Sequence, residues 1–286
     1  MQRGDGNDDD GEQTRSMQTG GRNDDHGEPT RRWQTGDRND DHGEQLRIWT
    51  QQQDRLKSQL LFYDDFSWKV SPALSISLPI EPLCLVGGVD LSFSKHNPSV
   101  ACGALVVVNI KSMEVIYEDF KIVHLHMPYI PGFLAFRESP VLLMLLERLA
   151  NEHPDRYPQV LLVDGNGILH PRGFGLASHI GVMANIPTIG VAKNLYCVDG
   201  LCRERIHMAS GITDETPLVG NSGKILGMAL RSHRDSIKPM FVSIGHRISL
   251  DTAVDVVREC CKYRIPEPVR QADIRSRGQI RAHFGA

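Results

Sequence analysis

The segment Leu83-Cys-Leu-Val-Gly-Gly-Val-Asp-Leu-Ser-Phe93 marks the point at which polar sequence gives way to a folded core. It is largely apolar, with Asp90 standing inside it, and it predicts a β-strand. Two further apolar segments, 101–110 and 114–123, follow after short polar turns. Three successive strands joined in this way predict an antiparallel meander.

Helical and strand patterns alternate in the second half of the chain. The predicted helices lie at about 132–151, 174–184, 250–263 and from 269, and the predicted strands at 159–164, 188–193, 225–232 and 240–244. A meander followed by such an alternation predicts an α/β fold, in which parallel strands join the meander in one mixed sheet flanked by helices. In open sheets of this kind, reactive residues gather outside the carboxyl ends of the strands.

Charge is distributed unevenly along the 286 residues, whose formal net charge is −3. Residues 1–44 hold 12 acidic and six basic side chains, so residues 45–286 carry +3. This mildly basic part is compatible with a nucleic-acid partner without requiring one. No stretch reaches the ~18–20 apolar residues of a membrane span, and the acidic start resembles neither a secretory signal nor a transit peptide. We expect a cytoplasmic monomer, with the nucleus as a further compartment.

The N-terminal segment is a 16-residue repeat, in which an Asn-Asp-Asp motif recurs at Asn7, Asn23 and Asn39. The repeats contain almost no apolar residues, so they predict a disordered acidic arm rather than a stack of units. We expect the arm to cover 1–43, a catalytic domain 44–280 and a tail 281–286. The six cysteines lack zinc-ligand spacing and are expected to be reduced thiols. A helical apolar stripe begins the domain and contains Leu46, Trp49, Leu56 and Leu60.

Three carboxylates stand in apolar surroundings. Asp90 lies within the first strand, Asp164 ends the strand 159–164, and Glu138 faces the sheet if the apolar side of its helix packs there. The alternatives are a strand bulge or edge for Asp90 and an Asp-Gly turn for Asp164. Three neighbouring buried carboxylates require a cation. Mg²⁺ binds one or two carboxylates together with phosphate oxygens, and paired metals stabilise both oxygens of a phosphodiester cleavage.

Several motifs, taken in order, resemble the signature motifs of the endonuclease V family. They are Val86-Gly-Gly-Val-Asp-Leu-Ser-Phe93, Pro128-Tyr-Ile-Pro-Gly-Phe-Leu-Ala-Phe-Arg-Glu138, Leu162-Val-Asp-Gly-Asn-Gly167, His170-Pro-Arg-Gly-Phe-Gly-Leu-Ala-Ser-His179, Gly190-Val-Ala-Lys193 and Arg264-Ile-Pro-Glu-Pro-Val-Arg-Gln-Ala-Asp273. The resemblance covers most of the chain after the repeats, and the last motif resembles the animal branch. It implies a single domain with a ribonuclease H-like fold, in agreement with the predicted mixed sheet.

The resemblance also implies catalytic roles. Asp90 and Asp164 would be the principal metal ligands, Glu138 and Asp273 would complete the acidic site, and Lys193 would lie near the scissile phosphate. Without the resemblance, Asp273 is a carboxylate in the first turn of a helix and Lys193 a solvated lysine after a strand. The implied cofactor is Mg²⁺, for which Mn²⁺ can substitute.

For base recognition, the resemblance implies a wedge and a pocket. The prolines of the segment 128–131 fix the backbone, so Tyr129 can fill the gap left by an extruded base; a core tyrosine is the alternative. The family's pocket reads hypoxanthine through backbone groups. The matching substrate-binding positions are Pro131, Gly132, Leu134, Gly165, Gly175 and Leu176, although Gly175 is alternatively a plain helix-start glycine. His246 is a weaker candidate, because a histidine at a strand end is often only structural.

Together these features predict a Mg²⁺-dependent endonuclease for inosine-containing single-stranded RNA. It would cut the second phosphodiester 3′ to inosine and leave 3′-hydroxyl and 5′-phosphate ends. A repair nuclease for deoxyinosine in DNA is the nearest alternative, since no residue is identified as a 2′-hydroxyl sensor. A non-cleaving inosine-RNA binding module is the second alternative, and the three carboxylates argue against it.

Overall fold

One mixed sheet organises the chain, and the meander forms its first half. The computed structural model describes residues 41–70, 81–127, 130–202, 214–232 and 238–284. The strands are β1 Leu85–Phe93, β2 Val100–Asn109, β3 Glu114–His124, β4 Val160–Asp164, β5 Thr188–Ala192, β6 Glu215–Val219, β7 Ile225–Leu230 and β8 Met240–His246. Within the described residues they form a sheet of eight strands in the order β3-β2-β1-β4-β5-β8-β7-β6.

The pairing of the strands confirms the predicted fold class. β2 pairs antiparallel with both β1 and β3, which is the predicted meander. β4 pairs parallel with both β1 and β5, and β8, β7 and β6 continue from β5 with antiparallel pairing. The sequence pattern did not predict β6. Its five residues, Glu-Thr-Pro-Leu-Val, include a proline and form a largely exposed edge strand. Because few of these residues are buried, few need to be apolar, and the sequence shows no strand pattern.

Helices cover both faces of the sheet. They are α1 Asp41–Lys57, α2 Leu134–Glu152, α3 Leu176–Ala184, α4 Leu250–Glu259 and α5 Glu267–Phe284, with a 3₁₀ turn at Pro154–Arg156. α2 and α3 pack on one face, against Val89 and Leu161. α4 and the start of α5 pack on the other, against Val86 and Leu162. Because side chains alternate along a strand, the even-numbered residues of β1 and β4 point to the α5 side.

Helix α5 lies directly against β1 because a glycine stands where the helix crosses the strand. A Cβ atom at Gly88 would collide with the backbone of Pro268. The sequence pattern placed Pro268 before this helix, and that prediction was wrong. α5 begins at Glu267 and takes Pro268 into its first turn, where a proline's missing N–H is tolerated. The close crossing holds α5 over the second half of β1.

Some predicted features fall outside the described residues. Residues 1–40 of the arm are among them, as are Pro128 and Tyr129 of the wedge, so both features stay predictions. Within the described residues, Trp49 and Leu60 of the predicted apolar stripe are buried. None of the described helices is long and apolar enough to cross a membrane.

Candidate active site

Charged side chains meet where the parallel strands end. Asp164 is the last residue of β4, and Lys193 directly follows β5. Asp90 lies one residue beyond the segment in which β1 pairs with β4, on the α5 side of the sheet. Lys193 Nζ is 2.7 Å from Asp164 Oδ2 and 3.8 Å from Asp273 Oδ2 on α5. The structure therefore brings these four predicted site residues together at one end of the central strands. This end is called the site edge of the sheet.

Two serine hydroxyls hold the Asp90 carboxylate. Ser276 Oγ donates to Asp90 Oδ2 at 2.7 Å, and Ser92 Oγ donates to the same oxygen at 3.0 Å. The two hydroxyl oxygens are themselves 2.7 Å apart. Ser276 is 0% and Ser92 4% exposed, so water does not compete for these hydrogen bonds. The network fixes one carboxylate oxygen and leaves Asp90 Oδ1 outside it.

The electrostatics of Asp90 are those of a carboxylate that lacks sufficient positive charge nearby. The pKa of Asp90 is raised to about 7, first by burial and then by the carboxylates of Asp164 and Asp273. The hydrogen bond from Ser276 and the charge of Lys193 act in the opposite direction. The negative charges at this edge therefore exceed what one lysine neutralises, and an added cation would relieve the repulsion.

Lys193 is the positive partner of this cluster. Burial alone lowers the pKa of its ammonium group, but Asp164, Asp273 and Asp90 outweigh burial, and the net pKa is raised. Lys193 is therefore charged at neutral pH. Because it lies beside the carboxylates, Lys193 is placed to attract a phosphate oxygen that the carboxylates alone would repel.

The donor set fits a hard divalent cation. Asp90, Asp164 and Asp273 offer only carboxylate oxygens, the ligands that Mg²⁺ and Mn²⁺ prefer. Among the described residues, however, no three His, Cys, Asp or Glu side chains are arranged as a complete metal site. The two observations are compatible, because Mg²⁺ takes one or two carboxylates and completes its shell with water and phosphate oxygens.

Glu138 is the fifth charged residue that was predicted for the site. It lies on α2, which packs on the sheet face opposite to α5, and it is only 7% exposed. Lys193 contacts Asp164 and Asp273, and Asp90 interacts with all three through its charge. The role of Glu138 beside them stays a prediction.

Most residues predicted for the base pocket surround the starts of α2 and α3. Gly132 has a φ of 82°, which disfavours any residue with a side chain. Gly165 lies against Leu176, the first residue of α3, and Gly175 caps the same helix. The two remaining residues precede or begin α2 and are the exposed Pro131 and the half-buried Leu134.

His246 lies at the other end of the sheet from the carboxylates. It pairs with Thr188 at the start of β5, whereas Lys193 follows the end of β5, roughly 15 Å away at the rise of an extended strand. His246 Nδ1 accepts a hydrogen bond from the Leu61 backbone N–H at 3.3 Å, and burial lowers the pKa of its ring. This environment favours the alternative that His246 is a hydrogen-bonded structural residue and not part of the site.

Ser92 and Ser276 were not among the residues predicted for the site. Ser92 could have been found, because it stands two residues after Asp90 in a strand and so faces the same side. Ser276 stands three residues after Asp273 and shares a helix face with it. Nothing in the local sequence shows that this face meets β1.

Comparison with known proteins identifies the family. The family model of endonuclease V matches residues 68–274, a range that contains every charged residue of the site. The chain belongs to the endonuclease V family. Endonuclease V of Mus musculus is 51% identical over 239 residues, which are 82% of this chain and 69% of that protein. Endonuclease V of Homo sapiens is 49% identical over 240 residues, which are 82% of this chain and 83% of that protein.

Solved endonuclease V structures share the fold. The catalytic domain of human endonuclease V has a TM-score of 0.78 and 48% identity, and the match covers 85% of this chain and 98% of that one. Endonuclease V of Ciona intestinalis, in complex with a 24mer DNA containing an inosine followed by a ribo-adenosine, has a TM-score of 0.75 and 35% identity, with 84% and 99% covered. Both the predicted family and the predicted fold class are confirmed. The chain is therefore a nuclease of a family that uses divalent metal ions.

Proposed function

We propose that the chain is a Mg²⁺-dependent endonuclease that recognises inosine in single-stranded RNA. It hydrolyses the second phosphodiester 3′ to the inosine and leaves 3′-hydroxyl and 5′-phosphate ends. The observation that carries the proposal is the meeting of Asp90, Asp164, Asp273 and Lys193 at the site edge of the sheet. A protein that only binds inosine has no use for such a cluster.

The carboxylates would hold the metal. Asp90 and Asp164 are its principal proposed ligands, with Glu138 and Asp273 completing the site, and Mn²⁺ can substitute for Mg²⁺. When bound, the metal neutralises charge on the phosphate and promotes deprotonation of the attacking water. The hydroxyls of Ser92 and Ser276 hold the Asp90 carboxylate in one orientation.

Lys193 would stabilise the phosphate. Its ammonium group remains charged because three carboxylates surround it. A fixed positive charge beside the phosphate stabilises the negative charge that develops on the phosphate oxygens during cleavage. The 2.7 Å contact with Asp164 Oδ2 holds the ammonium in place before substrate binds.

Backbone groups near Gly132, Gly165 and Gly175 would read the base. Hypoxanthine differs from adenine in carrying O6 and N1–H in place of an exocyclic amine and an N1 acceptor. One backbone donor and one backbone acceptor at fixed positions can distinguish these patterns, because the wrong base leaves a buried polar group unpaired. Tyr129 would stack on the remaining bases after the inosine is extruded.

The choice of RNA rests on the resemblance to the animal branch of the family, which implies a preference for RNA, and on one ligand. The chain is 51% identical to the mouse enzyme over 239 residues. The DNA in the Ciona intestinalis complex has a ribo-adenosine directly after its inosine, and a 2′-hydroxyl is the group by which a protein tells RNA from DNA. A nuclease specific for deoxyinosine in DNA is the alternative.

Three labelled single strands, each with one inosine, test the proposal in Mg²⁺. One strand is RNA, one is DNA, and one is DNA with a single ribonucleotide after the inosine. We expect cleavage of the RNA and of the mixed strand, and about tenfold slower cleavage of the DNA, as for the loss of one hydrogen bond. Faster cleavage of the all-DNA strand would support the repair alternative. Binding of all three without cleavage, in Mg²⁺ and in Mn²⁺, would support the binding module.

A further inference from the structure

Helix α1 precedes the range 68–274 matched by the family model, yet one of its faces contacts the proposed base pocket. Trp49, Gln53 and Lys57 are spaced four residues apart and so share that face. The Trp49 ring stacks on Phe136 of α2, with 5.1 Å between ring centroids and 3° between planes. Lys57 Nζ donates to the Arg172 carbonyl at 2.6 Å. The helix is therefore anchored at both ends of this face.

Gln53, between the two anchors, uses its whole amide. It is 1% exposed. Its Nε2 donates to the Gly132 carbonyl at 3.1 Å and to the Phe174 carbonyl at 3.0 Å. Its Oε1 accepts from Arg172 Nε. An amide nitrogen has two hydrogens, so both donors are committed to backbone carbonyls of two different loops.

These two loops are the walls of the proposed base pocket. Gly132 is itself a predicted pocket residue, and Phe174 immediately precedes Gly175 and Leu176. The two carbonyl oxygens are held at hydrogen-bond distance from a single nitrogen, which sets the separation between the walls. Arg172, in the second of these loops, forms a further contact with α1, since its Nη2 donates to Asp54 Oδ1 at 2.7 Å.

We propose that Gln53 is a positioning residue for base discrimination. Its amide holds the two pocket walls at the separation that hypoxanthine requires. This inference rests on the proposed function, because it concerns the same pocket. A pocket that reads a base through backbone groups has no side chain that can move to correct a change in width. A side chain that is hydrogen-bonded to both walls therefore controls which base fits, although it touches neither the base nor the reacting atoms.

The test uses the full chain with Gln53→Met, which keeps the length of the side chain but removes both donors. Gln53→Glu is the second variant, because it keeps the acceptor for Arg172 and also lacks the N–H groups. Gln52→Ala is the matched control, since Gln52 is an exposed glutamine on the same helix. The probes are labelled RNA strands that differ only in one inosine or one adenosine. Kd is measured without added metal, and the single-turnover cleavage rate is measured with saturating enzyme in Mg²⁺.

We expect each Gln53 variant to reduce the ratio of the adenosine Kd to the inosine Kd about tenfold, because a change in pocket width would cost about one hydrogen bond between the pocket and the inosine base. The saturated cleavage rate and the Mg²⁺ dependence should stay near wild type, and Gln52→Ala should match wild type throughout. A folded Gln53→Met or Gln53→Glu protein with the wild-type ratio overturns the proposal. Failure of both variants to fold also overturns it, because Gln53 would then be a folding contact. A wild-type protein that does not distinguish the two strands instead overturns the proposed function, and this inference with it.

Discussion

Ser276 on α5 donates a 2.7 Å hydrogen bond to Asp90 Oδ2 on β1. Ser276 stands one helical turn after Asp273, so the helix face that contributes a carboxylate to the site also orients the carboxylate of the strand. The docking of α5 on β1, at the glycine-proline crossing of Gly88 and Pro268, therefore determines the positions of two acidic groups at once.

We expect Ser276→Ala to lower cleavage about 10- to 150-fold, because a hydrogen bond to a charged group contributes ~1.5–3 kcal/mol. The Mg²⁺ concentration for half-maximal activity should rise, since the Asp90 carboxylate would lose its fixed orientation. The Kd for an inosine strand should not change. A metal titration of cleavage checks this, and Gly278→Ala on the same helix is the control. An unchanged Mg²⁺ requirement would contradict the role assigned to Ser276.

Asp90→Asn and Asp164→Asn should each abolish cleavage and leave inosine-RNA binding largely intact. The reason is that these carboxylates are proposed to hold the metal and not the base. Cleavage assays in Mg²⁺ and binding by fluorescence anisotropy check the two parts separately. Asp251→Asn, at an exposed position in the first turn of α4, is the control. Near-wild-type turnover of either variant would remove its residue from the metal site.

Two glycine substitutions should change stability in opposite directions. Gly88→Ala should destabilise the fold by about 1–3 kcal/mol, because the new Cβ would collide with the Pro268 backbone. Gly278→Ala should stabilise it by about 0.5–1 kcal/mol, because this helical position has open space around the new Cβ. Urea unfolding of both variants checks the expectation. If the Gly88→Ala and Gly278→Ala proteins were equally stable, α5 would not cross β1 as closely as described.

Tyr129 lies outside the described residues, and its role as a wedge is predicted from sequence. Base–aromatic stacking contributes ~1–3 kcal/mol, so Tyr129→Ala should weaken binding and cleavage of inosine strands by about 5- to 150-fold. Tyr129→Phe should have a mild effect, because the ring face makes the contact. Metal dependence should be the same in both variants. If Phe were as damaging as Ala, the hydroxyl rather than the ring would be the functional group.

Acid should destabilise the protein through buried histidines. Burial lowers the pKa of His179 to about 4, from an ordinary value of 6.5. Between these values the unfolded chain binds more protons, so stability falls as the pH drops from about 6.5 to about 4 and is unaffected above that range. The loss for one such histidine is about 3 kcal/mol when complete.

His179→Phe should therefore lose less stability than wild type between pH 7 and about pH 4.5. Phenylalanine suits the site because the His179 ring already packs edge-on against Phe136, with centroids 5.0 Å apart. Urea unfolding at both pH values measures the difference. His124→Gln, at an exposed position on β3, is the control. Identical pH dependence in wild type and His179→Phe would show that His179 is not kept neutral by burial.

The local pattern of apolar residues was sufficient to predict the strands in the interior of the sheet. β2 is buried at every residue but the last, and β5 at every residue, so both appear as short, continuous apolar runs. The same logic located Asp164, a carboxylate at the end of such a run. It failed for β6, whose exposed edge position imposes no apolar pattern. It also misplaced the start of α5, because a proline that usually ends a helix here stands in the first turn of the next one.

The sequence by itself determined which segments enter the core, which strands end in charged residues and, through its motifs, which family the chain belongs to. Only the tertiary structure decided which side chains support the site. Ser276 and Asp90 are 186 residues apart, and Gln53 is 79 residues from Gly132 and 121 from Phe174. Hydrogen bonds over such separations depend on how whole elements pack against one another. They leave no periodic trace in local sequence, because a buried serine or glutamine looks the same with or without its distant partner.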